Sequence, residues 1–228
     1  MNNSLRFIAK SFVHGVIDWS GRSQRQRRRL RGKLIVLTYH SFCTEWSRGL
    51  FHSLPVDRFE RQILFLRSNF KLVSLQQGLD YLQQGNIDDQ PWLAITIDDG
   101  FRDNYTHAWP IFQRYDVPVT IFLATDFIDT GRPPWPTQLV EIFDRTKAQI
   151  MEAPFRADIK SIAKRSACAR YLKKIWCSLP PQERFKRLEE LRRHLCVSEE
   201  TNYPPLTWRR ILRRYARGTS FGSQHDLP

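Results

Sequence analysis

The chain has 228 residues, of which 41% are hydrophobic and 13% aromatic, enough to bury a core and to exclude disorder on composition. Lysine and arginine outnumber aspartate and glutamate by 36 to 23, and the resulting formal charge of +13 favours anionic surfaces. Because no zinc-finger, helix-turn-helix or RNA-binding aromatic motif accompanies this charge, we expect no specific recognition of nucleic acid.

Residues 1–33 combine an apolar stripe with a basic, arginine-rich tract. Leu5, Ile8, Phe12, Val16 and Trp19 fall near one side of a predicted amphipathic helix. The helix is too short and too charged to span a bilayer, and without an A-x-A-like site it does not resemble a signal peptide. Two interpretations stay open: the helix lies on an anionic membrane surface, or it packs against the rest of the protein. Four cysteines without C-x-x-C spacing fit reduced thiols, so a cytoplasmic or membrane-peripheral protein is expected.

Strands and helices are predicted to alternate from residue 34 onward. The predicted strands lie near 34–39, 71–74, 92–97 and 118–123, and the predicted helices near 57–69, 75–84 and 103–115. This alternation predicts an α/β fold with a parallel sheet or barrel. Residues 137–205 break the pattern and are interpreted as a helical insertion, with Pro180 and Pro181 separating two helices and Pro204 and Pro205 closing the segment.

The most informative segment is Leu93–Gly100, an apolar run that ends in two carboxylates and a glycine. Neighbouring side chains of an extended strand point to opposite faces, so Asp98 and Asp99 cannot act alike while the chain stays extended. Gly100 permits a sharp turn that would bring both to one mouth, where one carboxylate binds a metal and the other takes a proton from water. The alternative is an Asx turn in which Asp98 or Asp99 caps the helix that begins near Asp103.

The run Thr96–Asn104 closely resembles the first motif of the polysaccharide deacetylases, the NodB-homology family. Other segments resemble the same family in the same order: Leu34–His40, Val56–Gln62, Lys71–Leu75, Ala108–Phe112 and Val117–Leu123. The resemblance covers most of Leu34–Ser223 and implies a domain over 34–228 with the family's distorted (β/α) barrel. In that barrel the site lies at the C-terminal ends of the strands, where the aspartate pair is predicted.

The resemblance implies a metal-dependent hydrolase that removes acetyl groups from N-acetylated polysaccharides or oligosaccharides, such as chitin-like chains, poly-N-acetylglucosamine or peptidoglycan. Carried over from the family motif, Asp98 is the general base and Asp99 is a ligand of a divalent metal ion, expected to be zinc. In the family the metal polarises the acetyl carbonyl and activates water, while a further histidine protonates the leaving amine.

The sequence departs from the family where its H-[ST]-x-x-H ligand pair would follow. Leu206–Leu212 and Gly218–Ser223 resemble the helix and strand that deliver this pair, but Gln224 stands at the first histidine, and an amide is a poorer zinc ligand than an imidazole. His225 would serve only after a one-residue slip, which turns a strand side chain to the opposite face. His225 is therefore either a metal ligand or an ordinary residue near the chain end.

This departure predicts a barrel incomplete at its C-terminus and leaves two functions open. The first is a deacetylase that uses His40 or His225 beside Asp99 as a ligand. The second is a truncated, non-catalytic fragment that at most binds a carbohydrate or membrane surface.

Two further features of the sequence concern the mouth of the predicted barrel. Tyr39 and His40 end the first predicted strand, and similar Tyr-His pairs occur there in the resembling subgroup. This predicts a substrate-pocket role for both residues, with simple packing at the strand end as the alternative. Residues 132–134 read Arg-Pro-Pro and superficially resemble a later family motif, but their position after the third strand of the resembling series favours a connecting loop.

Overall fold

The structure is a computed structural model that describes residues 30, 32–45, 53–85, 90–152, 156–215 and 220–224. The predicted N-terminal amphipathic helix, most of the basic tract and His225 lie outside these ranges. Within them, every helix is too short or too polar to cross a lipid bilayer.

A five-stranded parallel sheet forms the centre of the fold. Its strands are β1 Leu34–Tyr39, β4 Lys71–Val73, β5 Trp92–Ile97, β6 Val119–Ala124 and β9 Ser220–Gln224. Strand β5 pairs with β1 along its whole length, with β4 through its first three residues and with β6 through its last three. Two short pairs lie outside the sheet: β2 Phe42–Cys43 with β3 Leu54–Pro55, and β7 Ile150–Met151 with β8 Ala157–Asp158.

Helices connect the strands as a βα fold requires. They are α1 Val56–Asn69, α2 Leu75–Gln83, α3 Trp109–Arg114, α4 Thr125–Thr130, α5 Trp135–Arg145, α6 Ile162–Trp176, α7 Pro181–His194 and α8 Trp208–Tyr215. A capping box starts α2, because the Ser74 hydroxyl accepts the N–H of Gln77 while the Gln77 side chain accepts the N–H of Ser74.

One π-helical turn, Asn104–Ala108, precedes α3. The turn is followed by Pro110, which has no N–H to donate to the carbonyl four residues earlier. The N–H of Trp109 bonds to the carbonyl of Asn104, five residues back, as in a π-helix. Such π turns are rare and occur often at functional sites, and this one follows the aspartate motif directly.

Apolar side chains on one face of the sheet pack against α1 and α3. Ile95 and Ile97 of β5 are fully buried with Phe59 and Ile63 of α1 and Phe112 of α3. Each such side chain stabilises the fold by about 1.5–3 kcal/mol when it leaves water. This packing fixes the carboxyl end of β5, where the chain enters the aspartate pair.

The segment from α5 to α7 has a second hydrophobic core, centred on Leu139, Trp176 and Leu191, each 0–1% exposed. Helices fill most of the predicted insertion at 137–205, although the first of them begins earlier, at Trp135. The β7–β8 hairpin within it was not predicted. We call residues 135–197 the helical segment.

The predicted α/β class with a parallel sheet is confirmed. Predicted and observed bounds agree closely for β1, β4, β5 and β6, and residues 132–134 lie in the loop between α4 and α5, as predicted. The helix predicted near 103–115 begins with the π turn instead. Closure of the sheet into a barrel stays a prediction, because the described residues form five strands of the sheet.

Candidate active site

The chain turns sharply at Asp99, immediately after β5. The N–H of Gly100 donates to the carbonyl oxygen of Asp98 at 2.9 Å, across Asp99, whose φ is 72°. A hydrogen bond of this span around a residue with positive φ defines the rarer, strained γ-turn, which a non-glycine residue adopts only when its surroundings impose it. Because the chain is no longer extended at Asp99, the side chains of Asp98 and Asp99 need not point to opposite faces of the sheet.

Two neighbouring strands hold the backbone of the aspartate pair. The N–H of Asp98 donates to the carbonyl of Tyr39, the last residue of β1, at 2.9 Å. The N–H of Ala124, the last residue of β6, donates to the carbonyl of Asp99 at 3.2 Å. Gln224 ends β9 in register with Ala124. The strand that the sequence predicted from residues 218–223 is therefore present, and its carboxyl end lies one strand away from Asp99.

A later segment, residues 201–206, pairs with the turn and is called the strap here. The N–H of Leu206 donates to the carbonyl of Gly100, and the N–H of Arg102 donates to the carbonyl of Pro204, both at 2.8 Å. The turn is thus held on the strap side as well as by the two strands.

The other end of the strap is tied to the helical segment. The carboxylate of Glu141 in α5, 4% exposed, accepts the hydroxyl of Thr201 at 2.9 Å and the backbone N–H of Asn202. Burying a carboxylate costs free energy unless it is hydrogen-bonded. Moving the strap away would break both hydrogen bonds to Glu141, so Glu141 stabilises the observed position of the strap. The strap consequently joins the helical segment to the aspartate turn.

The imidazole of His40 faces Asp98. Thr38 of β1 pairs with Thr96 of β5, with their hydroxyl oxygens 2.9 Å apart, so residues two steps later in each strand lie side by side on the same face. The Nε2 atom of His40 lies 3.9 Å from Oδ2 of Asp98, and the two side chains are 57% and 22% exposed. Burial raises the pKa of Asp98 above its ordinary value, and the charge of His40 offsets part of that rise. A carboxyl group with a raised pKa beside an imidazole is suited to acid–base chemistry.

The ring of Tyr39 is half-buried and packs against the core. It packs edge-on against Phe59, and its hydroxyl donates to Oε1 of Gln62 at 3.0 Å. Burial raises the pKa of this phenol above its ordinary value. The structure thus brings Asp98, Asp99 and His40 to one strand end, while Tyr39 contributes its carbonyl oxygen there. The roles predicted for all four residues, and for His225 outside the described ranges, stay predictions.

Sequence analysis missed a buried polar cluster next to His40. Oδ2 of Asp103 accepts the hydroxyl of Ser41 at 2.6 Å, and Oδ1 accepts Nδ2 of Asn104 at 2.9 Å. Burial raises the pKa of Asp103 to about 7, although hydrogen bonds from Ser41, the Phe42 N–H and Asn104 act in the opposite direction. The N-cap residue of the π turn is Asp103, and its side chain makes no capping hydrogen bond. Neither Asp98 nor Asp99, the two candidates for this cap, occupies that position.

We expect Asp103 to make the free energy of unfolding depend on pH. Its pKa rises from 3.8 to about 7 on folding, so its contribution to stability is full below about pH 4 and is lost as the pH rises through 7. Between pH 5 and pH 8 the expected loss is about 3 kcal/mol. Urea unfolding at both pH values should show this loss in the wild type and a much smaller one in Asp103→Asn. The exposed Asp126→Asn variant is the control, and equal pH dependence in all three proteins would contradict the assignment.

The described side chains that could ligate a metal ion do not by themselves form a zinc site. Within the described ranges, no three histidine, cysteine, aspartate or glutamate side chains lie close enough together to hold a metal ion. A catalytic zinc ion takes three protein ligands, whereas Asp99 and His40 supply two side chains of suitable type. The residues present therefore fit part of a metal site.

Residues 85–163 match the family model described as polysaccharide deacetylase, and this range contains the whole run Thr96–Asn104. A protein of Bacillus subtilis (strain 168) named "Putative polysaccharide deacetylase YxkH" is 32% identical over 92 residues. The chain carries a polysaccharide deacetylase domain of the NodB type. The match to YxkH covers 40% of this chain and 32% of YxkH, so the matched stretch spans about a third of that relative.

Two solved structures are similar to this deacetylase domain. A de-N-acetylase from Aggregatibacter actinomycetemcomitans has a TM-score of 0.45 and 14% identity, over 84% of this chain and 53% of that one. IcaB from Ammonifex degensii has a TM-score of 0.38 and 19% identity, over 72% of this chain and 70% of that one.

Proposed function

We propose that this chain hydrolyses the acetamido C–N bond of N-acetylated sugars in a polysaccharide or oligosaccharide. The observation that supports this most is the pairing of His40 with Asp98 beside the strained turn at Asp99. Strained backbone at a strand end costs free energy and persists where the surrounding structure imposes it, as it does at many active sites.

In the proposed reaction, Asp98 takes a proton from the water that attacks the acetyl carbonyl. The water oxygen forms a C–O bond to the carbonyl carbon, and the C–N bond then breaks as His40, 3.9 Å from Asp98, gives a proton to the leaving amine. The products are acetate and the free amino sugar. The raised pKa of Asp98 supports its assignment as base, because a general base works best with a pKa close to the working pH.

Asp99 is proposed as one ligand of a divalent metal ion, expected to be zinc. The other ligands would come from residues outside the described ranges, and His225 is the candidate that the sequence offers. Since ligand number and geometry determine affinity, Asp99 without those further ligands would hold zinc weakly.

We expect Asp99→Ala to weaken zinc binding at least about tenfold, because it removes a ligand rather than a supporting residue. Equilibrium dialysis of the full chain against zinc measures this change directly and needs no catalytic turnover. Asp126→Ala, at an exposed position in the first turn of α4, is the matched control. If both variants bind zinc as the wild type does, Asp99 is not a ligand.

The second candidate function is carbohydrate binding without catalysis. The incomplete ligand set in the described ranges and Gln224 at the end of β9 favour it. Incubating the full chain with an N-acetylglucosamine oligomer and zinc, then measuring acetate, distinguishes the two functions. Acetate release supports the hydrolase, while calorimetric binding of the oligomer without acetate release supports the binding protein.

A location in the cytoplasm or at the membrane periphery, and an anionic membrane surface as a partner, stay predictions. Both depend on the N-terminal segment, most of which lies outside the described residues.

A further inference from the structure

The side chain of Asn104 is 0% exposed and connects the aspartate motif to the segment that carries His40. Its Nδ2 donates to the carbonyl oxygen of His40 at 2.7 Å and to Oδ1 of Asp103 at 2.9 Å. Both partners are acceptors, so rotating the amide would set its own oxygen against a carbonyl and a carboxylate. The orientation of Asn104 is therefore imposed by these two groups.

This orientation leaves Oδ1 of Asn104 buried without a hydrogen-bond partner among the described residues. A buried acceptor without a donor costs stability, and each such group in a native structure calls for an explanation. The explanation that fits the contacts is that both Nδ2 hydrogens are committed to holding other groups in place.

Asp103 makes further hydrogen bonds to the segment that carries His40. Its carboxylate accepts the Ser41 hydroxyl at 2.6 Å and the backbone N–H of Phe42. Strand β1 ends at Tyr39, so the ladder to β5 does not extend to the next three residues. Two consecutive residues, Asp103 and Asn104, thus hold three consecutive residues, 40–42. We call this arrangement the clamp.

We propose that Asn104, together with Asp103, is a positioning residue that holds the imidazole of His40 against Asp98. Asn104 contacts the main chain of His40 and not its ring, so it acts through His40. The clamp and Asp98 belong to one continuous stretch, 98–104, so one segment places both members of the pair. The inference takes the role of His40 from the proposed function, but its first test requires no activity.

The first test is amide hydrogen exchange on the full chain. Asn104→Ala should speed exchange of the amides of residues 40–43 at least about tenfold, since their tertiary hydrogen bonds set local opening. The amides of β5 at residues 93–97 should exchange as in the wild type. The matched control is Thr146→Val, which deletes a buried hydroxyl-to-carbonyl bond of 3.1 Å to Leu195 in the helical segment and should leave residues 40–43 unchanged.

Unchanged exchange at residues 40–43 in folded Asn104→Ala would overturn the proposal. If that variant does not fold, Ser41→Ala replaces it, because it removes one bond to Asp103 and keeps the bond from Asn104 to His40. Ser41→Ala should raise exchange at residues 42–43 by a smaller factor than is expected for Asn104→Ala, and no rise would equally overturn the proposal.

The second test is a double-mutant cycle on acetate release. Asn104→Ala should lower kcat by about 10- to 100-fold with little change in KM, since a small misplacement of a reacting group costs this much. Adding His40→Ala to that variant should then cost far less than the same change in the wild type. Full additivity would overturn the positioning role. A wild type that releases no acetate would refute the proposed function, and the exchange result would still decide the clamp.

Discussion

Gly100→Ala is expected to lower the free energy of unfolding by about 2–5 kcal/mol, as the sum of backbone strain and overpacking. Gly100 has a φ of 82°, in the left-handed region where a Cβ meets the following carbonyl oxygen. A Cβ there would also lie 2.8 Å from Cδ2 of Leu123 and 3.3 Å from Cδ1 of Ile128. Urea unfolding of the two proteins at one pH measures the change.

Gly131→Ala separates the two causes of this loss. Gly131 has a φ of 74°, but a Cβ there meets no described atom within 4 Å. We expect this control to lose about 1–2 kcal/mol from the left-handed backbone alone. The difference between the variants then reports how tightly the aspartate turn packs on β6 and α4. Equal losses would mean that Leu123 and Ile128 move aside and that the turn is loosely packed.

Asp98→Asn is expected to lower kcat/KM for acetate release by about 10²- to 10⁴-fold, the usual contribution of a positioned general base. Asparagine keeps the size of the side chain but cannot take the proton of the attacking water. The fold should be retained, because the backbone N–H of residue 98 still donates to Tyr39. Acetate release at saturating and limiting substrate gives kcat and kcat/KM separately.

The control for this variant is Asp126→Asn, which removes an exposed carboxylate from α4 at the same end of the sheet. Its activity should stay close to that of the wild type. If Asp98→Asn keeps more than about a tenth of the wild-type kcat/KM, far above the expected range, Asp98 is not the base. The amine would then be released by chemistry that does not use this pair.

Local signals explain what the sequence predicted correctly. The β-branched run before Asp98 and the carboxylate pair before Gly100 are contiguous, and β5 has the predicted bounds. The approach of His40 to Asp98 was not predictable in the same way, because it depends on the register between β1 and β5. That register joins residues 58 positions apart, as Thr38 and Thr96 show, and the sequence carries no direct record of it.

Tertiary contacts account for what the sequence analysis missed. Asp103 and Asn104 stand at the start of a predicted helix, where such residues usually cap the helix, and only their contacts with residues 40–42 reveal the clamp. The β7–β8 hairpin has strands of two residues, too short to show any periodicity. The π turn had a local signal in Pro110, whose missing N–H breaks the α-helical pattern.

The pairing of the strap with the aspartate turn also sets an order of events during synthesis. Phe101 bridges to Pro205, and the entire helical segment lies between them in the chain. During translation, both aspartates are therefore synthesised long before the strap residues that bond to their turn. Because closing so long a loop is repaid only when its ends dock, we expect the hydrogen bonds between the strap and the turn to form late in folding. A nascent chain cut before the strap would carry both carboxylates without the strap's hydrogen bonds to their turn.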